Sequence, residues 1–358
     1  MLHTVVMAGG SGVRLWPQSR RALPKQFQQF ISDKTLIQAT ANRCLPLIAP
    51  HRLWVVTGAA YAAVTAKQLP ELLPDQILVE PCGRNTAPCI ALAALRLLSA
   101  DPEAIMLVVP ADHIIGPDDA FQDAVRRAVT LVEHQPQAFV LFGVPPTYPS
   151  TGFGYIQRGE PHTADGTTVY EVQAFKEKPN QLTAARYAAG DDYYWNCGIF
   201  VWRADAILRA LAEYEPEIAA RCDQLRPMIG TRQWDAGLAE IFPSMPSISI
   251  DYAVLERAKS VFVLPAPFQW DDVGSWQALP RFLPHDNDGN TVAATHCGIE
   301  THGCIIAGEK DHLIATFGVK DLIIIHTPTV TLVADRRDEN SIRELIAEVD
   351  RRGLHEYL

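Results

Sequence analysis

Short apolar runs alternate with amphipathic stretches from the N-terminus to about Pro145. This alternation is typical of parallel strands joined by crossover helices. We therefore expect an α/β fold with a Rossmann-like, doubly wound and mostly parallel sheet. The predicted strands cover residues 4–8, 53–57, 77–79, 105–109 and 138–142, and the predicted helices begin near Thr35, Ala59, Ala87 and Ala120.

The pattern changes after Pro145 to turns rich in glycine and aromatic residues. Short strands are expected at residues 169–175 and 195–202, and we interpret this region as an insertion that completes an active-site cleft. After a polar stretch at 280–287, four β-rich pieces lead to an amphipathic helix at 340–353. The sequence predicts a main domain at residues 1–284 and a small β-rich domain at residues 285–358 that ends in a helix.

Composition limits the classes of function. A formal net charge of -10 argues against a nucleic-acid surface, which needs clustered Lys and Arg. No apolar run approaches the ~20 residues that span a bilayer, and the N-terminus lacks the features of a signal peptide. The seven cysteines form no CxxC pair, so neither a disulfide framework nor a zinc site is indicated. We expect a cytoplasmic protein with no membrane or nucleic-acid partner.

The first predicted strand ends in a glycine-rich turn, which lets backbone N–H groups approach phosphate oxygens closely. The spacing matches neither a P-loop nor a dinucleotide-binding turn. Two cations that follow the turn, Arg14 and Lys25, would stabilise charge on a transferring phosphoryl group. An ordinary strand-to-loop turn with solvated cations explains the same residues, so the turn alone leaves both interpretations open. The turn comprises Ala8, Gly9, Gly10, Ser11, Gly12 and Val13.

Asp112 follows a predicted strand, where ligands of doubly wound sheets bind. Magnesium prefers one or two carboxylates together with phosphate oxygens and water. The alternative for Asp112 is a turn or helix-cap residue. Two other residues also have a structural explanation: Thr86 as a helix N-cap, and Lys178 as a surface lysine before a proline.

Two segments together, GGSGVRLWP and PKQF, resemble the signature of the sugar-phosphate nucleotidyltransferases. Their Trp-Pro and Gln-Phe variants resemble the mannose-1-phosphate guanylyltransferase branch. Further matches follow in family order across most of the chain, and several ordered motifs are more specific than any single one. They are EP and RNTAP within 80–88, PADH at 110–113, GFGYI at 152–156, EKP at 177–179, WNCG at 195–198, SIDY at 249–252 and WDDVGSW at 270–276.

The resemblance implies a role for each motif. Arg14, Lys25, Asp112 and Asp272 are the expected catalytic residues, and the two aspartates are expected to bind Mg²⁺. Asp271 beside them is not excluded by sequence spacing. Glu80 is expected to accept hydrogen bonds from guanine. Besides the glycine-rich turn, the expected nucleotide-binding residues are Glu80, Arg84, Asn85, Thr86, Pro110 and Asp112, and the expected sugar-phosphate residues are Gly154, Tyr155, Glu177, Lys178, Asn196 and Gly198.

The implied reaction is transfer of GMP from GTP to mannose 1-phosphate. The attacking phosphate is already ionised, so His113 is not expected to act as a general base. Alternatives are a sister transferase with another sugar or base, and a catalytically silent regulator that binds nucleotide sugars. By resemblance, the β-rich tail is expected to form a short left-handed β-helix that helps to pair subunits as a homodimer. Longer relatives carry an isomerase domain, which we do not expect here.

Overall fold

The computed structural model describes residues 1–10, 15–30, 32–164, 167–338 and 341–358. These residues form two compact units. The first unit consists of Met1–Gly9 and Gln38–Trp270, and the second consists of Gly10–Ile37 and Asp271–Leu358. Among the helices of the described residues, none is long and apolar enough to cross a membrane.

A nine-stranded sheet of described residues forms the centre of the first unit, in the order β3-β2-β1-β4-β9-β6-β10-β8-β7. The strands are β1 (Leu2–Met7), β2 (Leu53–Gly58), β3 (Ile77–Glu80), β4 (Ile105–Pro110), β6 (Phe139–Val144), β7 (Tyr155–Ala164), β8 (Thr167–Lys176), β9 (Tyr193–Arg203) and β10 (Val261–Pro265); the short strands β5 (Ile114–Gly116) and β11 (Gln269–Asp271) lie outside this sheet.

Helices connect these strands: α1 (Leu36–Cys44), α2 (Ala62–Gln68), α3 (Thr86–Ala100), α4 (Asp118–His134), α5 (Gln181–Ala188), α6 (Ala204–Tyr214), α7 (Pro216–Leu225) and α8 (Trp234–Ile241). The pairings β1 with β2, β1 with β4, β2 with β3 and β6 with β10 are parallel. The predicted Rossmann-like, mostly parallel α/β fold is confirmed.

One prediction about this sheet was wrong. The strands expected within an insertion belong to the main sheet itself, because β9 lies between β4 and β6 and is antiparallel to both. Most residues of β9 are buried, as expected for a central strand covered on both faces. The glycine-rich segment before β7 hid this continuity in the sequence. The central position of β9 brings its residues beside the loop that follows β4.

The second unit contains β12 (Thr291–Ala293), β13 (Thr295–His302), β14 (Ile305–Ala307), β15 (Leu313–Lys320), β16 (Leu322–His326), β17 (Thr331–Asp335) and α9 (Ser341–Arg351). Strands β12, β14 and β16 pair in parallel, and so do β13 and β15, while β17 is antiparallel to β16. Cys304, Ile306, Ile314 and Ile324 form a small apolar core. Parallel pairing of successive strands is the arrangement of a β-helix, and the predicted β-rich C-terminal region is confirmed.

The segment around Lys25 is anchored within this second unit by two tryptophans. The indole Nε1 of Trp16 donates to the carbonyl oxygen of Tyr357 at 2.7 Å, and Nε1 of Trp276 donates to the carbonyl oxygen of Trp16 at 3.0 Å. Trp276 is fully buried. Two hydrogen bonds across more than 200 residues of sequence therefore fix this loop against the C-terminal part of the chain.

Candidate active site

The glycine-rich turn begins at the carboxyl end of β1, where the sequence places it. The N–H of Ala8 donates to the carbonyl oxygen of Val56 at 2.8 Å, and the hydroxyl of Thr57 donates to the carbonyl oxygen of Ala8 at 3.1 Å. Gly9, the last residue of the first unit's N-terminal segment, is exposed. The predicted residues Ser11, Gly12, Val13 and Arg14 lie outside the described residues.

Glu80 lies beside this turn, at the carboxyl end of β3. A Cβ atom placed on Gly9 would be 3.6 Å from its Oε2 atom, and only 5% of the residue is exposed. Its Oε1 atom has no hydrogen-bond partner among the described residues. Burial raises the pKa of the Glu80 carboxyl to about 7. Because buried polar atoms are nearly always paired, an Oε1 atom without a partner among the described residues suits an acceptor for a ligand.

The RNTAP motif forms the start of α3. Asn85 has φ 66°, an uncommon conformation for a residue other than glycine, and its side chain accepts a hydrogen bond from the N–H of Thr86 at 2.9 Å. The hydroxyl of Thr86 accepts from the N–H of Ile250 at 2.8 Å, while Arg84 donates to the carbonyl oxygen of Pro243. The N-cap is therefore Asn85 rather than Thr86, and Thr86 joins the helix to the SIDY motif.

Asp112 lies in the turn after β4. Its side chain is 30% exposed, and helix α4 begins only at Asp118 after an N-cap at Pro117, so Asp112 does not cap that helix. The Nε1 atom of Trp270 donates to Nδ1 of His113 at 3.0 Å, which places an imidazole proton on Nε2. That Nε2 atom is 3.8 Å from Oδ1 of Asp112. This geometry supports an orienting role for His113 rather than an acid–base role.

The EKP motif and Gly154 form a compact polar cluster. Oε1 of Glu177 is 2.8 Å from Nζ of Lys178, whose own backbone has φ 44°. Burial lowers the pKa of the Lys178 ammonium, but the hydrogen bond and charge of Glu177 and the charge of Asp251 outweigh it, so the net shift is upward. A Cβ atom on Gly154 would lie 2.4 Å from Oε2 of Glu177. A side chain at position 154 would therefore displace this carboxylate from its present position.

Asn196 and Gly198 join this cluster to the loop that carries Asp112. The N–H of Asn196 donates to the carbonyl oxygen of Gly154 at 2.9 Å, and its side-chain Oδ1 accepts from the N–H of Gly198 at 3.1 Å. Gly198 has φ 70°, and a Cβ atom there would be 3.5 Å from Cγ of Pro110. The structure thus brings together predicted residues from four separate motifs within the first unit.

Two residues of this region differ in detail from what their motifs suggest. Tyr155 is only 1% exposed, and its hydroxyl donates to the carbonyl oxygen of Ser150 at 3.0 Å, so its side chain packs in the core. Asp251 was not singled out from the sequence, yet its Oδ1 accepts from Nδ2 of Asn196 at 2.9 Å. The signal available in the sequence was an acidic residue inside a family motif.

In the second unit the structure brings together two predicted catalytic residues that are 247 positions apart. Nζ of the buried Lys25 donates to the carbonyl oxygen of Asp272 and, at 3.5 Å, to that of Val273. The neighbouring Gln26 donates through Nε2 to the carbonyl oxygen of Gly10 at 3.0 Å. These bonds join the PKQF motif to both the glycine-rich turn and the WDDVGSW motif.

The carboxylates of the adjacent aspartates have different environments. Asp271 is 7% exposed; its Oδ1 accepts from the N–H of Val273 at 2.7 Å, and its Oδ2 is paired with Arg281. Asp272 is more exposed, and its Oδ1 accepts from the N–H of Gly274 at 3.1 Å. The Asp271 carboxylate therefore holds the loop, which leaves Asp272 as the better candidate for a metal ligand.

Each unit carries one predicted metal ligand, and each of the two side chains is a partly exposed carboxylate: Asp112 in the first unit and Asp272 in the second. Carboxylates, together with phosphate oxygens and water, are the ligands that magnesium takes. Where the chain is described, no three or more His, Cys, Asp and Glu side chains are grouped to hold a metal ion. A dedicated all-protein cage is therefore not formed by those residues.

Two family models match this chain. A family model described as nucleotidyl transferase matches residues 3–288, and a second, described as MannoseP isomerase/GMP-like beta-helix domain, matches residues 294–349. Because the first model covers most of the chain, the protein belongs to the nucleotidyl transferase family. Enzymes of this family generally use a divalent metal ion.

Its relatives place it with the mannose-1-phosphate guanylyltransferases. An Escherichia coli K12 protein of that name is 39% identical over 99% of this chain and 75% of its own length. Mannose-1-phosphate guanylyltransferase ManC of Salmonella typhimurium is also 39% identical, with the same coverage of both chains. A Thermus thermophilus structure, described as a mannose-1-phosphate geranyltransferase, is 32% identical with a TM-score of 0.87 and covers 98% of this chain and 99% of its own.

Proposed function

We propose that this protein transfers GMP from GTP to α-D-mannose 1-phosphate, giving GDP-mannose and pyrophosphate. The observation that carries the proposal is the hydrogen bond from Nζ of Lys25 to the main-chain carbonyl oxygen of Asp272, which holds a cation beside a residue that bears a carboxylate. Phosphoryl transfer uses both kinds of charged group. The names of its curated relatives supply the sugar and the base.

Glu80 supports guanine as the base. Guanine presents two donors on one edge, its N1–H and its exocyclic amine, whereas adenine presents an acceptor at N1. Glu80 offers two acceptors at the end of β3: its Oε1 atom, which has no partner among the described residues, and its Oε2 atom near Gly9. We propose that the ionised carboxylate accepts both hydrogen bonds, with Arg84, Asn85 and Thr86 forming the adjoining wall.

The cluster of Gly154, Glu177, Lys178, Asn196 and Gly198 supports a sugar-phosphate site in the first unit. The Glu177 carboxylate and the Asn196 amide match sugar hydroxyls as acceptor and donor. The Lys178 ammonium, 61% exposed, would bind the sugar phosphate and orient it as the nucleophile. We limit the role proposed for Tyr155 to its main chain.

We propose a direct in-line displacement, in which a phosphate oxygen of mannose 1-phosphate bonds to the α-phosphorus and the bond to pyrophosphate breaks. Arg14 and Lys25 would offset the triphosphate charge, and Asp112 and Asp272 would hold Mg²⁺. When bound, Mg²⁺ would neutralise charge on the departing pyrophosphate. The attacking phosphate is already ionised, so no side chain needs to remove a proton. Positioning and electrostatics account for the rate.

Several further assignments remain proposals. We propose a domain boundary between residues 284 and 285, a cytoplasmic location and a homodimer. An exposed apolar pair in the second unit supports the homodimer: Ile299 and Phe317 are register partners on β13 and β15, and they are 61% and 73% exposed. Light scattering of the wild type and of Phe317→Glu would test it, and a monomeric wild type would refute it.

Variants test the catalytic assignment. We expect Lys25→Ala and Asp112→Ala to lower kcat about 100-fold or more, since each removes charge stabilisation from the transition state. Asp205→Ala is the control, because Asp205 pairs with Arg203 and Arg209, and Arg203 lies beside Ile105 at the start of β4, whereas Asp112 follows the end of that strand. Near-normal turnover by either folded site variant would refute the roles. If the wild type prefers a pyrimidine triphosphate, the protein is a sister transferase with another base. If the wild type shows no turnover, the result favours a silent regulator.

A further inference from the structure

The amide of Asn196 is held in one orientation by two hydrogen bonds of opposite polarity. Its Oδ1 accepts from the N–H of Gly198 at 3.1 Å, and its Nδ2 donates to Oδ1 of Asp251 at 2.9 Å. A rotation of the amide by half a turn would place its oxygen against the carboxylate and its NH₂ group against a backbone N–H. Both bonds would then become repulsive, so Asp251 determines which atom of Asn196 faces each direction.

Asp251 also lies close to the charged pair of the EKP motif. Loss of hydration, and then the charge of Glu177, raise the pKa of Asp251 to about 6, whereas the charge of Lys178 opposes this shift. The charge of Asp251 in turn helps to raise the pKa of Lys178. The groups around the cluster also include Ser249, Tyr252 and Glu256, whose Oε1 accepts from the N–H of Glu177 at 3.3 Å.

Hydrogen bonds with the RNTAP motif hold the segment that carries Asp251 in place. Asp251 begins the short π-helical turn Asp251–Leu255. The residue before it, Ile250, donates through its N–H to the hydroxyl of Thr86, and the N–H of Ala87 donates to the carbonyl oxygen of Ile248 at 3.1 Å. The start of α3 therefore anchors the segment that carries Asp251.

We propose that Asp251 is a positioning residue for the sugar-phosphate site, which fixes the Asn196 amide so that its second N–H is presented to a sugar hydroxyl. This inference rests on the proposed function. Asp251 acts through Asn196, and the segment from Ile248 to Asp251 links that amide to the nucleotide motif at Thr86. Neither the glycine-rich turn nor the base acceptor Glu80 depends on it.

The test measures both Michaelis constants for four proteins: the wild type, Asp251→Ala, Asp251→Asn and the surface control Asp205→Ala. For Asp251→Ala we expect the KM for mannose 1-phosphate to rise about tenfold, the scale of one hydrogen bond to a charged group, with the KM for GTP changed less than about twofold. Asp251→Asn keeps an acceptor for Asn196 and should recover most of the loss. Asp205→Ala should behave as the wild type.

A double-mutant cycle separates positioning from a direct role. If Asp251 acts through Asn196, Asp251→Ala should have little further effect on the KM for mannose 1-phosphate in an Asn196→Ala background. Additive effects, an unchanged KM in Asp251→Ala, or equal rises in both Michaelis constants would overturn the inference. If Asp251→Ala does not fold, the cycle is run with Asp251→Ser, and Asp251→Asn remains the variant that keeps the acceptor. A wild type that does not turn over mannose 1-phosphate with GTP would instead refute the proposed function itself.

Discussion

Replacing Glu80 by glutamine should change both the pH dependence of stability and the choice of base. Burial raises the pKa of this carboxyl from 4.5 to about 7 in the folded protein. Between these values the folded state keeps a proton that the unfolded state has lost. The free energy of unfolding therefore falls as the pH rises from about 5 to about 7, and the full penalty is present above about 7.

The size of the effect follows from the shift. The rise of the pKa from 4.5 to about 7, at about 1.4 kcal/mol per pKa unit, gives about 3.5 kcal/mol as an upper limit. Glutamine does not titrate, so Glu80→Gln should gain up to that amount relative to the wild type between about pH 5 and about pH 8. Urea titrations of both proteins without nucleotide, at several pH values in this range, measure it.

The same variant tests guanine recognition. Loss of hydrogen bonds to a charged acceptor, worth about 1.5–3 kcal/mol, should raise the KM for GTP about tenfold to a hundredfold. The KM for inosine triphosphate, which lacks the exocyclic amine, should rise less. Parallel stability curves for the two proteins, or an unchanged KM for GTP in Glu80→Gln, would refute the reasoning that the buried Glu80 carboxylate accepts hydrogen bonds from guanine.

Three other substitutions test separate parts of the site. Gly154→Ala places a Cβ atom against the Glu177 carboxylate. In steady-state assays it should raise the KM for mannose 1-phosphate about tenfold, with little change in the KM for GTP. An unchanged KM for mannose 1-phosphate would show that Glu177 does not contact the sugar. Asp272→Asn should lower kcat about 100-fold without a change in melting temperature. Asp271→Asn, which breaks the pair with Arg281, should instead lower the free energy of unfolding by about 1–3 kcal/mol and leave kcat within a few-fold of the wild type. If Asp271→Asn lost activity and Asp272→Asn lost only stability, Asp271 would be the metal ligand and Asp272 the residue that holds the loop.

The sequence was sufficient for those parts of the fold that depend on local pattern. The strands from β1 to β4 and the helix α3 follow from apolar runs and helical spacing, and the structure confirms them within a few residues. The place of β9 was not predictable in this way. Strand order depends on long-range pairing, and a central antiparallel strand has the same apolar run as a strand in an insertion.

For the site, too, the sequence indicated residues, whereas the contacts between them required the structure. Motif order indicated Lys25 and Asp272, but only the structure shows the hydrogen bond between Lys25 and the Asp272 carbonyl. Sequence spacing could not separate Asp271 from Asp272, because their difference lies in the partner Arg281. Asp251 was missed for a related reason: its contact with Asn196 joins residues 55 positions apart.

The most direct test of the central proposal is a phosphorus NMR time course of the purified protein with GTP, mannose 1-phosphate and Mg²⁺. We predict that GTP and mannose 1-phosphate disappear together, while pyrophosphate and a diphosphate diester appear in equal amounts. Mass spectrometry of the diester should give the mass of GDP-mannose. Formation of pyrophosphate or free phosphate without the diester, or equal turnover when another sugar 1-phosphate replaces mannose 1-phosphate, would contradict the proposal.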